Sequence, residues 1–219
     1  FHFKKKILIS HFGMSGKILV KRNKDSQMFK TSFYYGLNIL HKHNHIYFFL
    51  NNGFILIYND VRRFGFFKVF KDNKINNIKF IKKLGIEPFS KLFNLSYYRK
   101  FTENKKKNIK NLLMDQTFVS GLGNIYVNES LFMSNIHPLR LCNSLQKKEI
   151  KNLISNIKKV LLTSISKGGS SIKNFKNTSG KSGNFQQFFK VYGQEDKVCS
   201  RISCKGTIKK INISSRSSF

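Results

Sequence analysis

The sequence predicts an α+β fold, and three observations along the chain support it. Residues 1–90 contain short runs of β-branched and aromatic side chains separated by turn residues, which is typical of strands. Residues 95–170 carry apolar side chains at helical spacing. Residues 198–219 again indicate a small β module. A chain of 219 residues, of which 40% are hydrophobic, is long enough to form one or two modest domains with a real core.

The β-rich part opens with two predicted strands, "KKILIS" and "KILV", on either side of the loop 11–16, which reads "HFGMSG". A methionine in a turn, such as Met14, normally has nothing to bury itself in. A methionine on a loop that enters the stacked interior of another molecule would have a partner. Further along, "IYFFLNNGFILIY" predicts a hairpin with its turn at 51–53, and the short run "FFKVF" follows "DVRRFG".

The helical part contains one long amphipathic segment, "SLQKKEIKNLISNIKKVLLTSISKGG". Its pattern predicts a helix with Ser144 as the N-cap and an end at Gly168. The apolar face of this helix is expected to belong to the core and to consist of Leu153, Ile154, Ile157, Val160, Leu161 and Ile165.

A second helical segment, "IKNLLMDQTFVSGLGNIYVNESLF" at 109–132, breaks at "SGLG" and resumes with Asn124 in a capping position. Helix–two-turn–helix is its natural description. The restarted helix would present free backbone N–H groups and the positive end of its dipole to a phosphate group. An ordinary helical hairpin is the alternative, and this segment alone favours that alternative.

The charge balance favours a polyanionic partner. The chain has 41 Lys and Arg against 10 Asp and Glu, a net charge of +31, and nucleic acid is the leading candidate. Codon bias in an AT-rich genome accounts for part of the lysine content. It does not account for the arginines of "NDVRRFGFF". With so few acids to pair with, Arg62 is better suited to a phosphate or an orphaned base than to a salt-bridged turn around a buried Phe64.

The apolar segments and the three cysteines of the sequence indicate the cellular compartment and a candidate metal site. No apolar run is long enough to cross a bilayer and no signal-peptide pattern is present, so a soluble, cytoplasmic protein is expected. Cys142, Cys199 and Cys204 do not form a disulfide framework, which favours a reducing compartment. Cys199 and Cys204, followed by Gly206, form half of a zinc ribbon.

Taken together, these segments resemble the bacterial formamidopyrimidine-DNA glycosylases of the Fpg/Nei superfamily. The motifs that carry the resemblance run in the family's order from about residue 7 to the last residue. They are "HFGMSGK", "HKHNHIYFFLNNG", "DVRRFG", "LGIEP", "IKNLLMDQ", "GLGNIYVNESLF", "IHP", "GGSSIKNF", "GKSGNFQQ", "VYG" and "RSSF".

The resemblance implies base-excision repair of oxidised purines such as 8-oxoguanine and formamidopyrimidines, followed by nicking of the abasic strand by β,δ-elimination. It also implies three domains. Residues 1–90 would form a β-sandwich-like domain, and residues 91–190 a helix–two-turn–helix domain with a lesion-capping loop. Residues 191–219 would form an incomplete β-hairpin zinc finger. The implied partner is double-stranded DNA with an oxidised base or abasic site, bound by a monomer.

The resemblance also assigns roles to individual residues. The hole left by the flipped nucleotide would be filled by Met14, Arg62 and Phe64. Phosphate contacts would come from His11, His43, Arg62, Lys105, Lys110 and Asn124. Arg216 would bind the phosphates around the lesion and take part in δ-elimination. The loop over the extruded purine would comprise Gly180, Lys181, Ser182, Gly183, Asn184 and Phe185, and one Zn²⁺ per chain would be held in part by Cys199 and Cys204.

Departures from the family pattern modify these expectations. The family's first cysteine pair is C-x2-C, whereas here the spacing is C-x4-C. The family's N-terminal proline nucleophile, the adjacent glutamate and a lysine on the strand before "HFGMSG" find no match. The expectation is therefore a fragment without both termini that is inactive alone. An endonuclease VIII-like pyrimidine glycosylase and a non-catalytic basic nucleic-acid-binding remnant are the alternatives.

Overall fold

The computed structural model describes residues 1–13, 15–22, 28–29, 41–71, 78–169 and 185–219. The chain divides into two compact units. The first is formed chiefly by residues 1–82, and the second by residues 83–167 and 185–219. Most strands lie in the first unit and most helices in the second, which confirms the α+β class. The finer division at residues 90 and 190 stays a prediction.

The first unit contains two antiparallel sheets. One has the strand order β1–β2–β7, with β1 at His2–Phe3, β2 at Lys6–His11 and β7 at Phe66–Lys71. The other has the order β4–β3–β6–β5, and its strands are β3 at Lys17–Arg22, β4 at Met28–Phe29, β5 at Asn44–Phe49 and β6 at Phe54–Asn59. A short helix, α1, spans Lys79–Lys82.

The predicted hairpin is confirmed, since β5 pairs with β6 across the turn at 51–53. Gly53 has a φ of +77°, a left-handed conformation that glycine adopts without steric cost. Alternating side chains of β3 and β6 then face a small core. Its buried members are Leu19, Ile55 and Ile57.

Two connections cross from one sheet to the other. The loop 12–16 joins β2 to β3, and the loop 60–65 joins β6 to β7. Because β2 pairs with β7 while β3 pairs with β6, the two loops must lie side by side at one end of the unit. The register places His11 opposite Phe66 and Lys17 opposite Asn59, directly at the loop bases.

The second unit is helical and ends in a small hairpin. Its helices are α2 at Leu95–Thr102, α3 at Ile109–Met114, α4 at Asn124–Met133 and α5 at Lys147–Ser166. Strands β8 at Ile211–Ile213 and β9 at Arg216–Ser218 pair through a turn in which Ser214 and Ser215 both have positive φ. The fully buried core residues from the helices include Ile109, Leu112, Leu113, Val127, Leu153 and Ile157.

The start of α5 differs from the prediction. Ser144 lies in a separate 3₁₀ turn, and the N-cap is Gln146, whose side chain and that of Glu149 form a reciprocal capping box. Arg140 pairs with Glu149 and also donates to the Ser144 carbonyl at 3.1 Å, which holds the turn outside the helix. The predicted end is confirmed by Gly168, at φ +74° just after the C-cap.

Two further expectations about the helices are corrected. Ile165 is 66% exposed, and the buried face of α5 extends through Ile150 at the other end instead. Asn124 is the first residue of α4 rather than its cap, because Gly123 occupies the N-cap position. The Asn124 side chain is therefore available for a contact outside its own helix. Among the described helices, none is both long and apolar enough to cross a membrane.

A buried carboxylate fastens the segment after the 3₁₀ turn Phe185–Phe188 to α4. Glu129 is 2% exposed and accepts hydrogen bonds from the backbone N–H groups of Lys190, Val191 and Tyr192 at 2.8, 3.0 and 2.9 Å. Three charge-assisted bonds to one carboxylate offset the cost of burying it. The "VYG" segment is thus held by a side chain rather than by a strand.

Glu129→Gln is expected to lower the free energy of unfolding by about 2–3 kcal/mol, because an amide presents N–H donors where the backbone also donates. Urea unfolding followed by circular dichroism measures this change. The exposed Glu87→Gln is the matched control and should stay within about 0.5 kcal/mol of wild type. Equal effects of the two substitutions would show that Glu129 does not anchor the segment.

Candidate nucleic-acid interface

The adjacent loops of the first unit carry three of the residues predicted to enter DNA. Arg62 and Phe64 lie on the loop 60–65. Met14 belongs to the loop 12–16 but lies outside the described residues. The two backbones touch at Gly13, where a Cβ atom would stand 2.9 Å from the Phe64 carbonyl carbon and φ is +61°. Glycine is therefore required at this point of contact.

Asp60 ties these loops together. Its carboxylate is fully buried and accepts hydrogen bonds from Ser15 Oγ at 2.5 Å, Tyr58 Oη at 2.8 Å, Gly65 N at 3.0 Å and Arg62 N at 3.2 Å. Burial raises the pKa of Asp60, but these four hydrogen bonds outweigh it and lower the pKa to about 2. The carboxylate is therefore ionised at neutral pH.

The outer side of the loop 60–65 presents an aromatic ring and a guanidinium to solvent. Phe64 is 56% exposed, and the Arg62 Cζ atom lies 4.5 Å from the centroid of its ring. Arg63 between them has a φ of +55°, so the chain turns sharply and brings its two neighbours to the same side. An exposed ring and guanidinium in contact form a surface on which a base can stack.

Both predicted histidines lie beside this loop pair. The His11 ring stacks on Phe66 with centroids 5.5 Å apart, and its Nδ1 accepts from Gly13 N at 3.1 Å. The His43 carbonyl accepts from Asp60 N at 3.0 Å, and His45 Nε2 lies 2.7 Å from the Asp60 carbonyl oxygen. The first unit thus brings His11, His43, Arg62 and Phe64 together around Asp60.

In the second unit, Lys110 is buried rather than presented to solvent. It is 1% exposed, and its Nζ donates to Ser217 O at 2.7 Å, Ser218 Oγ at 2.6 Å and Asn128 Oδ1 at 3.4 Å. Burial, with a contribution from the charge of Arg216, lowers the pKa of Lys110 to about 8. The ammonium therefore fastens the hairpin β8–β9 to α3.

Asn124 joins the same network. Its Nδ2 donates to Ser217 O at 3.1 Å, and Asn128, one turn further along α4, donates to the Asn124 carbonyl at 2.8 Å. Asn128 Oδ1 in turn accepts from Phe219 N at 3.1 Å. The exposed Arg216 begins β9, so its backbone position is fixed by buried residues of α3 and α4.

The remaining predicted residues of this unit have separate surroundings. Lys105 Nζ lies 3.2 Å from the centroid of the Phe101 ring. Gly180, Lys181, Ser182, Gly183 and Asn184 lie outside the described residues. Phe185, which ends the predicted lesion loop, is 3% exposed and packs against Tyr126 and Phe189. It is thus a core residue that anchors one end of the loop.

Comparison with known proteins identifies the chain. A family model described as the formamidopyrimidine-DNA glycosylase N-terminal domain matches residues 1–67, and one described as the formamidopyrimidine-DNA glycosylase H2TH domain matches residues 84–176. The formamidopyrimidine-DNA glycosylase of Rickettsia conorii is 43% identical over 212 residues, which cover 97% of this chain and 72% of that protein. The chain belongs to the formamidopyrimidine-DNA glycosylase family.

A further relative and two solved structures are similar to the chain over most of its length. The enzyme of that name from Streptococcus agalactiae is 40% identical over 204 residues, covering 93% of this chain and 70% of the relative. The structure of Lactococcus lactis Fpg with abasic-site DNA has a TM-score of 0.81 at 32% identity, covering 98% of this chain and 73% of that one. MutM bound to DNA containing carbocyclic 8-oxo-G has the same TM-score and identity. The predicted enzyme class, a DNA repair glycosylase, is confirmed.

The cysteine pair near the C-terminus forms part of a metal site at most. Cys199 N donates to Gly206 O at 2.8 Å, and Cys204 N donates to Arg201 O at 3.0 Å, so backbone hydrogen bonds close the turn that carries both cysteines. Hydrogen bonds from Gly206 and Cys199 lower the pKa of Cys204, as does the charge of Arg201. Among the residues described, no group of three or more metal-ligating side chains occurs. The assignment of Cys199 and Cys204 as zinc ligands therefore stays a prediction.

Several residues important to the site are not singled out by sequence reasoning. Asp60 and Asn128 are the main ones, and each is linked to partners far away in the chain. The spacing of Asn124 and Asn128, four residues apart on a predicted helix, was the available signal for the second. For Asp60 the signal was a lone acid beside two arginines in a chain with few acids.

Acidification is expected to destabilise the first unit between about pH 4 and pH 2. The folded-state pKa of Asp60, about 2, lies below the ordinary value of 3.8, so its stabilising contribution is complete above pH 4 and is lost as the pH falls. The contribution is at most about 2.5 kcal/mol. Urea unfolding at a series of pH values should show this loss in wild type and in the exposed Asp196→Asn control. Asp60→Asn should lack it, and an unchanged pH dependence in Asp60→Asn would contradict the assignment.

Proposed function

We propose that the chain recognises oxidised purines, 8-oxoguanine and formamidopyrimidines, in duplex DNA and acts in their excision and in nicking of the abasic strand by β,δ-elimination. The observation that carries the proposal is the exposed Arg62–Phe64 pair on a loop fixed beside that of Met14. Structures of family members in complex with abasic-site, Fapy-dG and carbocyclic 8-oxo-G DNA support it. The site of action would be the bacterial cytoplasm, with the chain acting as a monomer.

In this proposal Met14, Arg62 and Phe64 fill the space left by a flipped nucleotide. Extruding a base costs a few kcal/mol of stacking and pairing. A thioether, a guanidinium and an aromatic ring can each contact the bases on either side of the gap and replace part of that energy. The exposure of Phe64 and its contact with Arg62 support this role, because a ring buried in the protein could not stack on DNA.

Phosphate contacts are proposed for His11, His43, Arg62, Lys105, Asn124 and Arg216. Arg216 is exposed at the start of β9 and would also assist the δ-elimination step by neutralising phosphate charge. Lys110 would act through the hairpin. Its ammonium already has three acceptors within the protein, so a direct phosphate contact would require one of these hydrogen bonds to break. The segment from Gly180 to Phe185 would close over the extruded purine.

DNA binding should be mainly electrostatic, so the logarithm of affinity should fall linearly with the logarithm of salt concentration. Arg216→Ala is expected to lower the slope of that line by about 0.9, the value for one lost phosphate contact. The exposed Lys159 on α5 offers a charge-matched control, and Lys159→Ala should leave the slope unchanged. Fluorescence anisotropy over a salt series measures both. A binding constant insensitive to salt would argue against the proposal.

Phe64→Ala should weaken binding to an 8-oxoguanine duplex more than binding to a duplex with an abasic-site analogue. The abasic site holds no base whose stacking must be replaced, so flipping there costs less. We expect the two losses to differ about tenfold, which corresponds to 1.4 kcal/mol of base stacking. Phe49→Ala, at a ring 71% exposed on β5, is the control. Equal losses on the two duplexes would remove the proposed role, and tighter binding to an oxidised pyrimidine would favour an endonuclease VIII-like enzyme.

Zinc is proposed to be held in part by Cys199 and Cys204, at one ion per complete protein. A closed four-ligand zinc site would cross-link the segment that carries Arg216. Titration with Co²⁺ as a spectroscopic probe should give a thiolate-to-metal absorption band that is lost in Cys199→Ser. Cys142 is fully buried in the helical core, and Cys142→Ala should keep the band. Retention of the band in Cys199→Ser would refute the assignment.

A further inference from the structure

The two loops that carry Met14, Arg62 and Phe64 are linked by one polar cluster, which we call the inter-loop clasp and define as Ser15, Tyr58, Asp60 and the backbone N–H groups of Arg62 and Gly65. Ser15 contributes from the loop 12–16, and the rest contribute from the end of β6 and the loop 60–65. All donors converge on the Asp60 carboxylate at 2.5–3.2 Å. The clasp therefore joins two segments 45 residues apart in the chain.

The Arg62 amide is held from both loops at once. Its N–H is shared between Asp60 Oδ1 at 3.2 Å and Ser15 Oγ at 3.1 Å. The following residue, Arg63, adopts a positive φ that side-chain-bearing residues rarely adopt and that persists only where surrounding contacts impose it. The clasp holds the residues on both sides of Arg63 and so imposes this conformation. The resulting turn sets the directions of the Arg62 and Phe64 side chains.

The clasp leaves little room for the loops to move apart or slide. The Tyr58 hydroxyl, which donates to Asp60, fills the space beside two glycines. A Cβ atom would lie 2.7 Å from that oxygen at Gly16 and 1.8 Å from it at Gly65. Real Cβ contacts are never that short, so both loops are packed directly onto the hydroxyl. Their relative position is fixed by hydrogen bonds on one side and by steric contact on the other.

We propose that Asp60 is a positioning residue for lesion recognition, whose carboxylate fixes the two loops relative to each other before DNA binds, so that Arg62 and Phe64 form a preformed wedge that enters the duplex together with Met14. Ser15 is its partner in this role. Neither side chain contacts DNA in the proposal. The inference rests on the proposed function, because it assumes that these three residues fill the space of the flipped base.

A preformed wedge has a specific consequence for binding. Ordering the loops during folding removes an entropic cost that would otherwise be paid when the wedge enters DNA. Loss of the clasp should therefore impair insertion, while contacts made by the basic residues to phosphates are kept. Encounter and insertion can be separated, because the first depends on salt and the second changes the stacking of neighbouring bases.

The test uses the chain with a duplex that contains an abasic-site analogue in one strand and 2-aminopurine opposite it in the other. The fluorescence of 2-aminopurine rises when this base is unstacked. At saturating protein, Asp60→Asn and Ser15→Ala are each expected to reduce the fluorescence change at least threefold, toward the value of Phe64→Ala. Ser15→Thr keeps the hydroxyl and should restore it. The salt dependence of binding should stay as in wild type for all of these variants.

Two further measurements separate positioning from general destabilisation. The double variant Asp60→Asn with Phe64→Ala should give the same fluorescence change as Phe64→Ala alone, because each substitution impairs the same insertion step. Asp115→Asn is the control. Asp115 also accepts hydrogen bonds from a nearby turn, Thr117 N at 3.0 Å and Thr117 Oγ1 at 2.6 Å, but it lies in the other unit. This variant should keep the full fluorescence change. Should Asp60→Asn fail to fold, Ser15→Ala carries the test.

The outcomes distinguish the inference from the function on which it rests. A full fluorescence change in Ser15→Ala and Asp60→Asn, alongside a reduced one in Phe64→Ala, overturns the positioning role alone. Additive losses in the double variant overturn it as well. A full change in Phe64→Ala itself overturns the void-filling role and the inference with it.

Discussion

Each of the two units is organised by a buried carboxylate that accepts backbone N–H groups. Asp60 binds the amides of Arg62 and Gly65, and Glu129 binds three consecutive amides from Lys190 to Tyr192. Loops have no ladder partners for their N–H groups, so an acidic side chain can take the place of a strand. The segments fixed in this way are those that flank the residues proposed to act on DNA.

This use of carboxylates is notable in a chain with 10 acids and 41 lysines and arginines. Asp60 and Glu129 are buried against backbone amides, and three other acids form ion pairs with Lys107, Arg140 and Lys210. Ten acids cannot neutralise 41 basic side chains, so the chain keeps a large excess of positive charge whatever ion pairs it forms. The excess charge supplies attraction to a polyanion without regard to base sequence. The positions of a few side chains must therefore supply the discrimination between damaged and intact DNA.

Local patterns predicted local structure well and long-range contacts poorly. The hairpin at 51–53 and the end of α5 at Gly168 follow from glycine at positions that need positive φ. The N-cap at Gln146 was missed because Ser144 is the commoner cap residue, whereas the reciprocal bond with Glu149 decides the start. The phosphate contact predicted for Lys110 stays a prediction, whereas its burial was not foreseen, because that depends on Ser217 and Ser218, more than 100 residues further along the chain. Nothing in a single sequence reports such a contact.

The same physical arrangement occurs in each unit beside the residues proposed to contact DNA. In one, Asp60 fixes the backbone that carries Arg62 and Phe64. In the other, Lys110, Asn124 and Asn128 fix the strand that carries Arg216. In both, a residue that faces solvent has its backbone held by a hydrogen-bond network whose central groups, Asp60 in one unit and Lys110 and Asn128 in the other, are buried. A strongly basic chain binds any duplex, so discrimination of a damaged base requires side chains that cannot adapt to an intact one. Buried hydrogen bonds at the base of an exposed loop provide that rigidity and keep the side chains proposed to contact DNA at the surface.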